Sequence, residues 1–210
     1  MDISLSHPVA VILSVAGAYL LGSISTAVLV CRMMGLPDPR SQGSGNPGAT
    51  NVLRTGNRVA ALATLLGDML KGLVPVLVAK LLGANEWLIG AVAVAVVLGH
   101  MFPVFFGFQG GKGVATLMGV LFGTAPLLGL VWAGTWLVVA GLTRYSSLAA
   151  LVATLLTPVY THLLLGAPGL TLAMGILVVA IFWRHRDNVR KLLDGTESRL
   201  GGRGPGTPAR

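Results

Sequence analysis

Charge is scarce in this chain: Asp, Glu, Lys and Arg make up 10% of its 210 residues, where a soluble domain carries about a quarter. An ordinary soluble fold is excluded on that ground. There is one cysteine, Cys31, which excludes an internal disulfide. No Cys/His cluster surrounds it, so neither a metal site nor any other cofactor is expected. Aromatics are few, at 6%. The formal charge of +8 is therefore scattered among apolar runs without the aromatic interleaving of a single-strand nucleic-acid binder, and no nucleic-acid partner is expected. Residues Met1 to His7 carry no Lys or Arg, so the first apolar run lacks the basic flank of a cleaved signal peptide and reads as a retained transmembrane helix. What is abundant is hydrocarbon: 54% hydrophobic residues and a mean hydropathy of +0.80. These describe an all-α, polytopic membrane protein.

The apolar runs give seven transmembrane helices. Val9 to Val30 spans about 22 residues, enough for a hydrocarbon core of roughly 30 Å. Val59 to Leu82 follows, with Asp68 and Lys71 on one face at i and i+3, an intramembrane pair that reads equally as functional site or as strut. Trp87 to Phe106 is the third. Val114 to Leu142, at roughly 43 Å as one helix, is too long and must break at Gly123-Thr-Ala-Pro126 into a short fourth helix and a fifth. Leu148 to Leu165 and Leu170 to Trp183 complete the set. This count puts thirteen of the fifteen basic residues on one side, with Lys71 in the membrane and Lys80 near the other face. By the positive-inside rule the N-terminus is outside and the C-terminus cytoplasmic. Residues 1–200 form one integral membrane domain, and the Gly/Pro-rich tail 201–210 is expected to be disordered.

Three polar clusters then fall on the cytoplasmic side. The first, Asp38 to Asn51, combines Gly43, Gly45 and Gly48, which tolerate φ > 0, with donors from Ser44, Asn46, Thr50 and Asn51 and the guanidinium of Arg40. That is the inventory of a phosphate cradle. In the second, Gly110, Gly111 and Gly113 surround Lys112 just before a helix N-terminus, where N–H groups and the helix dipole favour an anion. It is not a Walker A loop: Phe106 stands where the first Gly belongs, and Gly113 where Ser or Thr belongs. The third joins Ser146 and Ser147 to Arg184-His-Arg-Asp-Asn188 at the end of the last helix. His185, flanked by arginines, has its protonated form disfavoured and is available as an acceptor. Arg190, Lys191 and Arg199 read as orienting charges. His100 reads as a backbone hydrogen-bonding residue and His162 as incidental.

In this order the clusters resemble the acyl-phosphate:glycerol-3-phosphate acyltransferases, the PlsY family of bacterial membrane enzymes. The resemblance runs through Gly22-Ser23, Asp38-Pro-Arg40, Gly43-Ser-Gly-Asn-Pro-Gly-Ala-Thr-Asn51, Gly99-His-Met-Phe-Pro103, Gly110-Gly-Lys-Gly-Val-Ala-Thr116, Ser146-Ser147, His185-Arg-Asp-Asn188 and Leu192-Leu-Asp-Gly-Thr-Glu197. Ser25 departs from it, standing where the family often has Pro.

The resemblance implies acyl transfer from a fatty acyl phosphate to the 1-hydroxyl of sn-glycerol 3-phosphate, beginning phospholipid synthesis at the cytoplasmic face of the bacterial inner membrane. It also implies a functional link to the soluble enzyme that makes acyl phosphate. Lys112 with Gly110, Gly111 and Gly113, and the Ser44-Gly-Asn46 segment, would hold phosphates; Arg40, Ser146, Ser147, His185 and Asn188 would complete the pocket, and Glu197 would brace the C-terminal segment. The acyl chain would lie between helices. The hydroxyl attacks directly, and its proton passes either to the donor phosphate or to His185. No His-x-x-x-x-Asp sequence occurs, which argues against the acyl-CoA-using class. The alternative is a small transporter of an anionic phosphorylated solute, which Asp68 and Lys71 would serve.

Overall fold

The computed structural model describes residues 8–201, so the expectation for the tail from 202 onward lies outside the described residues. Among the described residues ten α-helices make the fold: α1 (Pro8–Gly22), α2 (Thr26–Met33), α3 (Ala49–Arg54), α4 (Arg58–Leu81), α5 (Glu86–Met101), α6 (Val114–Thr124), α7 (Pro126–Thr143), α8 (Ser146–Leu165), α9 (Pro168–Arg184) and α10 (Arg186–Leu193). Four of them are long and apolar enough to cross a membrane, and six spans result if the bent pairs α1/α2 and α9/α10 each count as one. α6, with 11 residues, is about 16 Å long and well short of a hydrocarbon core.

The expected break after Gly123 is present: α6 ends at Thr124 and Pro126 opens α7. The first span is a correction. It is not continuous from Val9 to Val30 but bends by 42° between α1 and α2. At the bend Ser23 Oγ donates to the Tyr19 carbonyl (2.9 Å), and the Ile24 carbonyl accepts instead from Lys71 Nζ (2.8 Å). The third span runs over Glu86–Phe106, as expected; within it Pro103 ends the α-helical part at Met101 and a 3-10 turn over Val104–Phe106 completes it.

Glycines set the close helix crossings. A Cβ on Gly119 would overlap the Met69 carbonyl of α4, and one on Gly72 would overlap the Thr116 carbonyl of α6. Gly22 meets the Val96 carbonyl of α5 in the same way, a close packing contact between α1 and α5. Between these crossings sits the main core, with Val92, Val96, Leu117, Leu121, Trp132, Met174 and Leu177 buried in it.

Alternation of α4 to α9 brings the starts of α4, α6 and α8 and the ends of α5, α7 and α9 to one end of the bundle. The polar connections 35–57, 102–113 and 144–145 and the α9/α10 corner all gather there.

Candidate active site

The first polar connection is built by Asn51. Its Nδ2 donates to the carbonyls of Pro39 (2.8 Å) and Gln42 (2.9 Å), and its Oδ1 accepts from Ser44 N (2.9 Å) and Ser44 Oγ (3.1 Å). Asn51 is thereby the buried staple of the loop. A Cβ on Gly43 would overlap its Oδ1, which explains a glycine there with φ of 57°. Past Gly48 the chain turns into α3, a short helix not evident in the sequence pattern.

A cavity of about 400 Å³ opens beside this loop. Of the residues singled out in the sequence, Ser44, Asn46, Gly48, Thr50, Asn51, Asp68, His100, Lys112, Gly113, Ser146, Ser147, His185 and Asn188 line it. Glu197 lines it as well, and so does Arg54, which no sequence motif singles out. Deeper, the wall becomes apolar, with Leu65 from α4, Met118 from α6, Trp132, Ala133, Trp136 and Leu137 from α7, and Ala150 from α8.

Arg40, Gly43, Gly45, Gly110 and Gly111 are not in that wall. Arg40 is held by its neighbour Asp38, with Nη2 2.6 Å from Oδ2; this bond keeps the Asp38 carboxyl below its usual range and raises the guanidinium further. Gly45 and Gly110 line a second cleft of about 310 Å³ together with Arg40, Phe108 and Arg184. Local pairing with Asp38 is the physical reason that Arg40 stays out of the main cavity. Gly110 and Gly111 act one step back, as the backbone that carries Lys112.

Lys112 reaches across to α10, where its Nζ donates to Asn188 Oδ1. Asn188 Nδ2 donates in turn to Glu197 Oε1 (2.9 Å), and Ser147 Oγ donates to the same oxygen (2.7 Å). Burial lowers the Lys112 ammonium to about 8, against a raising contribution from Glu197. The His185 Nδ1 pairs with the Ile181 carbonyl at 2.8 Å. Nδ1–H is the donor in that contact, so the neutral ring keeps its Nε2 lone pair as an acceptor.

Three helix N-termini face the cavity: Gly48, Ala49 and Thr50 of α3, Gly113, Val114 and Ala115 of α6, and Ser146 and Ser147 of α8. None of the three has a side-chain cap, whereas α4 and α5 are capped by Asn57 and Asn85. Unfilled N–H groups, aligned dipoles, Arg54 and Lys112 make a site for phosphate-like anions. Its continuation into an apolar recess suits an anion that carries an alkyl chain. Among the described residues no group of three His, Cys, Asp or Glu side chains is placed to hold a metal.

Comparison with known proteins agrees with this geometry. Residues 12–195 match the family model of glycerol-3-phosphate acyltransferase. Among curated relatives, the glycerol-3-phosphate acyltransferase of Thioalkalivibrio sulfidiphilus is 62% identical over 187 residues, covering 89% of this chain and 92% of the relative. That of Burkholderia orbicola is 55% identical over 197 residues, covering 91% and 93%. Crystal structures of PlsY, an integral membrane glycerol 3-phosphate acyltransferase, superpose closely. The glycerol 3-phosphate form gives a TM-score of 0.87 at 39% identity, covering 91% of this chain and 96% of that one. The lysophosphatidic acid form gives 0.85 at 37%, covering 92% and 96%. With an anion-binding mouth above an apolar recess and these relatives along nearly its whole length, the chain belongs to the glycerol-3-phosphate acyltransferase family.

Proposed function

We propose that this protein transfers a fatty acyl group from acyl phosphate to the 1-hydroxyl of sn-glycerol 3-phosphate, releasing lysophosphatidic acid and inorganic phosphate. The enzyme class, an acyltransferase of phospholipid synthesis, follows from the family. The observation that carries the acyl-phosphate donor is the supply of anion-binding groups in one cavity: three uncapped helix N-termini with Arg54 and Lys112. Such a set of donors can hold the phosphate of glycerol 3-phosphate and that of an acyl phosphate together.

Lys112, Arg54 and the α6 and α8 N-termini bind the phosphates, and Ser44, Asn46, Thr50, Ser147 and Asn188 orient the glycerol. The acyl chain lies along Leu65, Met118, Trp132 and Trp136. The substrate hydroxyl attacks the acyl carbonyl carbon, a new ester C–O bond forms, and the bond from that carbon to the phosphate oxygen breaks. Lys112 and the helix N–H groups stabilise the charge that develops on the leaving phosphate. The hydroxyl proton ends on that phosphate, directly or by way of His185 Nε2. No covalent acyl-enzyme is needed.

Exposed basic residues cluster at the cavity end, among them Arg144, Arg186, Arg190 and Lys191, which supports a cytoplasmic mouth in the bacterial inner membrane. Seven crossings, with α6 as a short one, follow from the same rule. Sealed proteoliposomes loaded with acyl phosphate and given labelled glycerol 3-phosphate test the function. Label appearing in the lipid phase as lysophosphatidic acid, with one phosphate released per product, supports acyl transfer; unmodified glycerol 3-phosphate accumulating in the lumen supports transport.

A further inference from the structure

The backbone of Gly110 and Gly111 is pressed between two side chains. On one side Arg184 donates from Nε to the Gly111 carbonyl (3.0 Å) and from Nη2 to the Gly110 carbonyl (2.6 Å). On the other side lies His100, whose main-chain carbonyl accepts the Gly111 N–H at 3.1 Å. The His100 ring fills the volume that a Cβ on Gly111 would need, so only glycine fits against it.

His100 is buried and is itself held from α4. Its Nδ1 stands 3.5 Å from Asp68 Oδ1, and Lys71 Nζ stands 2.8 Å from that same oxygen. This cluster is incompletely satisfied: Asp68 Oδ1 is engaged by Lys71 Nζ, while His100 Nδ1 is buried with no partner nearer than its 3.5 Å contact to that oxygen. A half-satisfied buried polar cluster is a poor device for stability. Its position directly beneath the Lys112 loop gives it another use, because Lys112 must project from a glycine-rich loop that has little stiffness of its own.

We propose that His100, fixed by Asp68 and Lys71, is a positioning residue that holds the Gly110–Gly113 loop so that the Lys112 ammonium stays inside the cavity against Asn188. The Asp68–Lys71 pair thus serves two purposes, since Lys71 also holds the α1/α2 bend at Ile24. The proposal rests on the phosphate role assigned to Lys112, but its first test does not require turnover.

Competitive labelling of lysines with acetic anhydride across a pH series, read by mass spectrometry of the purified protein in detergent, follows the titration of Lys112 itself. The groups that face this ammonium are Glu197, Arg54, Lys191, Arg184 and His185, and none is altered in the variants. In the wild type, where burial lowers the ammonium, Lys112 is expected to titrate at about 8. In His100→Ala the freed loop lets water reach the ammonium, so its titration moves up toward the ordinary lysine range, and kcat/KM for glycerol 3-phosphate falls at least 10-fold. His100→Gln, which keeps bulk and a polar end, recovers part of both. Should His100→Ala not fold, Asp68→Asn with Lys71→Met releases the ring without emptying its space, and the same upward movement is expected. A folded His100→Ala or Asp68→Asn/Lys71→Met protein in which Lys112 titrates as in the wild type overturns the proposal. A wild type that titrates near 8 yet makes no product contradicts the proposed function and leaves the positioning to be judged by the labelling.

Discussion

Lys112 and Asn188, 76 residues apart in the chain, are joined side chain to side chain across the mouth of the cavity. This bond fastens the α5/α6 loop to α10, and through Asn188 and Glu197 it ties both to Ser147 at the start of α8. A cation held there, depressed to about 8 by burial, gives the site its own pH dependence.

The sign of that dependence follows from the charge. In the proposed reaction Lys112 binds phosphate as the ammonium, which is lost as pH rises through its pKa, so kcat/KM is expected to fall above about pH 8. Bound phosphate favours the ammonium, so the fall in kcat lies at higher pH. Lys112→Arg, which keeps its charge, flattens the alkaline limb, and Lys112→Ala lowers kcat/KM by about 10- to 100-fold, the worth of a hydrogen bond to a charged group. Steady-state kinetics from pH 6 to 10 check all three.

Glu197 opposes the depression of Lys112 and receives the Ser147 and Asn188 donors. Glu197→Gln removes the negative charge and keeps the size. The alkaline limb of kcat/KM is expected to move to lower pH, and melting in detergent to report a loss of about 1–2 kcal/mol from weakened charge-assisted bonds.

Arg54 and Arg40 separate two readings of the first loop. Arg54 lines the main cavity, while Arg40 is paired with Asp38 beside the second cleft. Arg54→Ala is expected to lower kcat/KM for glycerol 3-phosphate by about 10-fold or more. Arg40→Ala, losing a half-exposed pair, changes it by less than about 5-fold. Parallel kinetics on the two variants decide the matter.

Packing gives an independent check on the fold. Gly119→Ala drives a methyl into the Met69 carbonyl of α4 and is expected to cost about 1–3 kcal/mol. Gly134→Ala meets nothing within 4 Å and is expected to be neutral or stabilising by up to about 1 kcal/mol. Thermal melting of both in one detergent compares them directly.

Much of this was legible in the sequence because hydrocarbon runs and helix breakers act locally. Pro126 had to open a helix, and the glycines around Lys112 had to mark a tight approach. What the sequence pattern hid depended on distant partners. The bend between α1 and α2 has no proline; it is held by Lys71 from another helix. Arg54 was hidden because α3, only six residues long, sets its exposed side chain at the edge of the cavity. The pairing of Arg40 with Asp38 was hidden because nothing in the spacing distinguishes a guanidinium that binds a neighbouring carboxylate from one that binds substrate. Asn51 was read as a donor to substrate, yet its polar atoms are engaged in its own loop.

The measurement that bears most directly on the central claim uses purified protein in lipid with labelled glycerol 3-phosphate, supplied with acyl phosphate in one series and acyl-CoA in another. Lysophosphatidic acid and free phosphate in equal amounts from acyl phosphate alone, formed about 10- to 100-fold less efficiently by Lys112→Ala, is the predicted result. Product from acyl-CoA alone, or equal activity in folded Lys112→Ala protein, would contradict it.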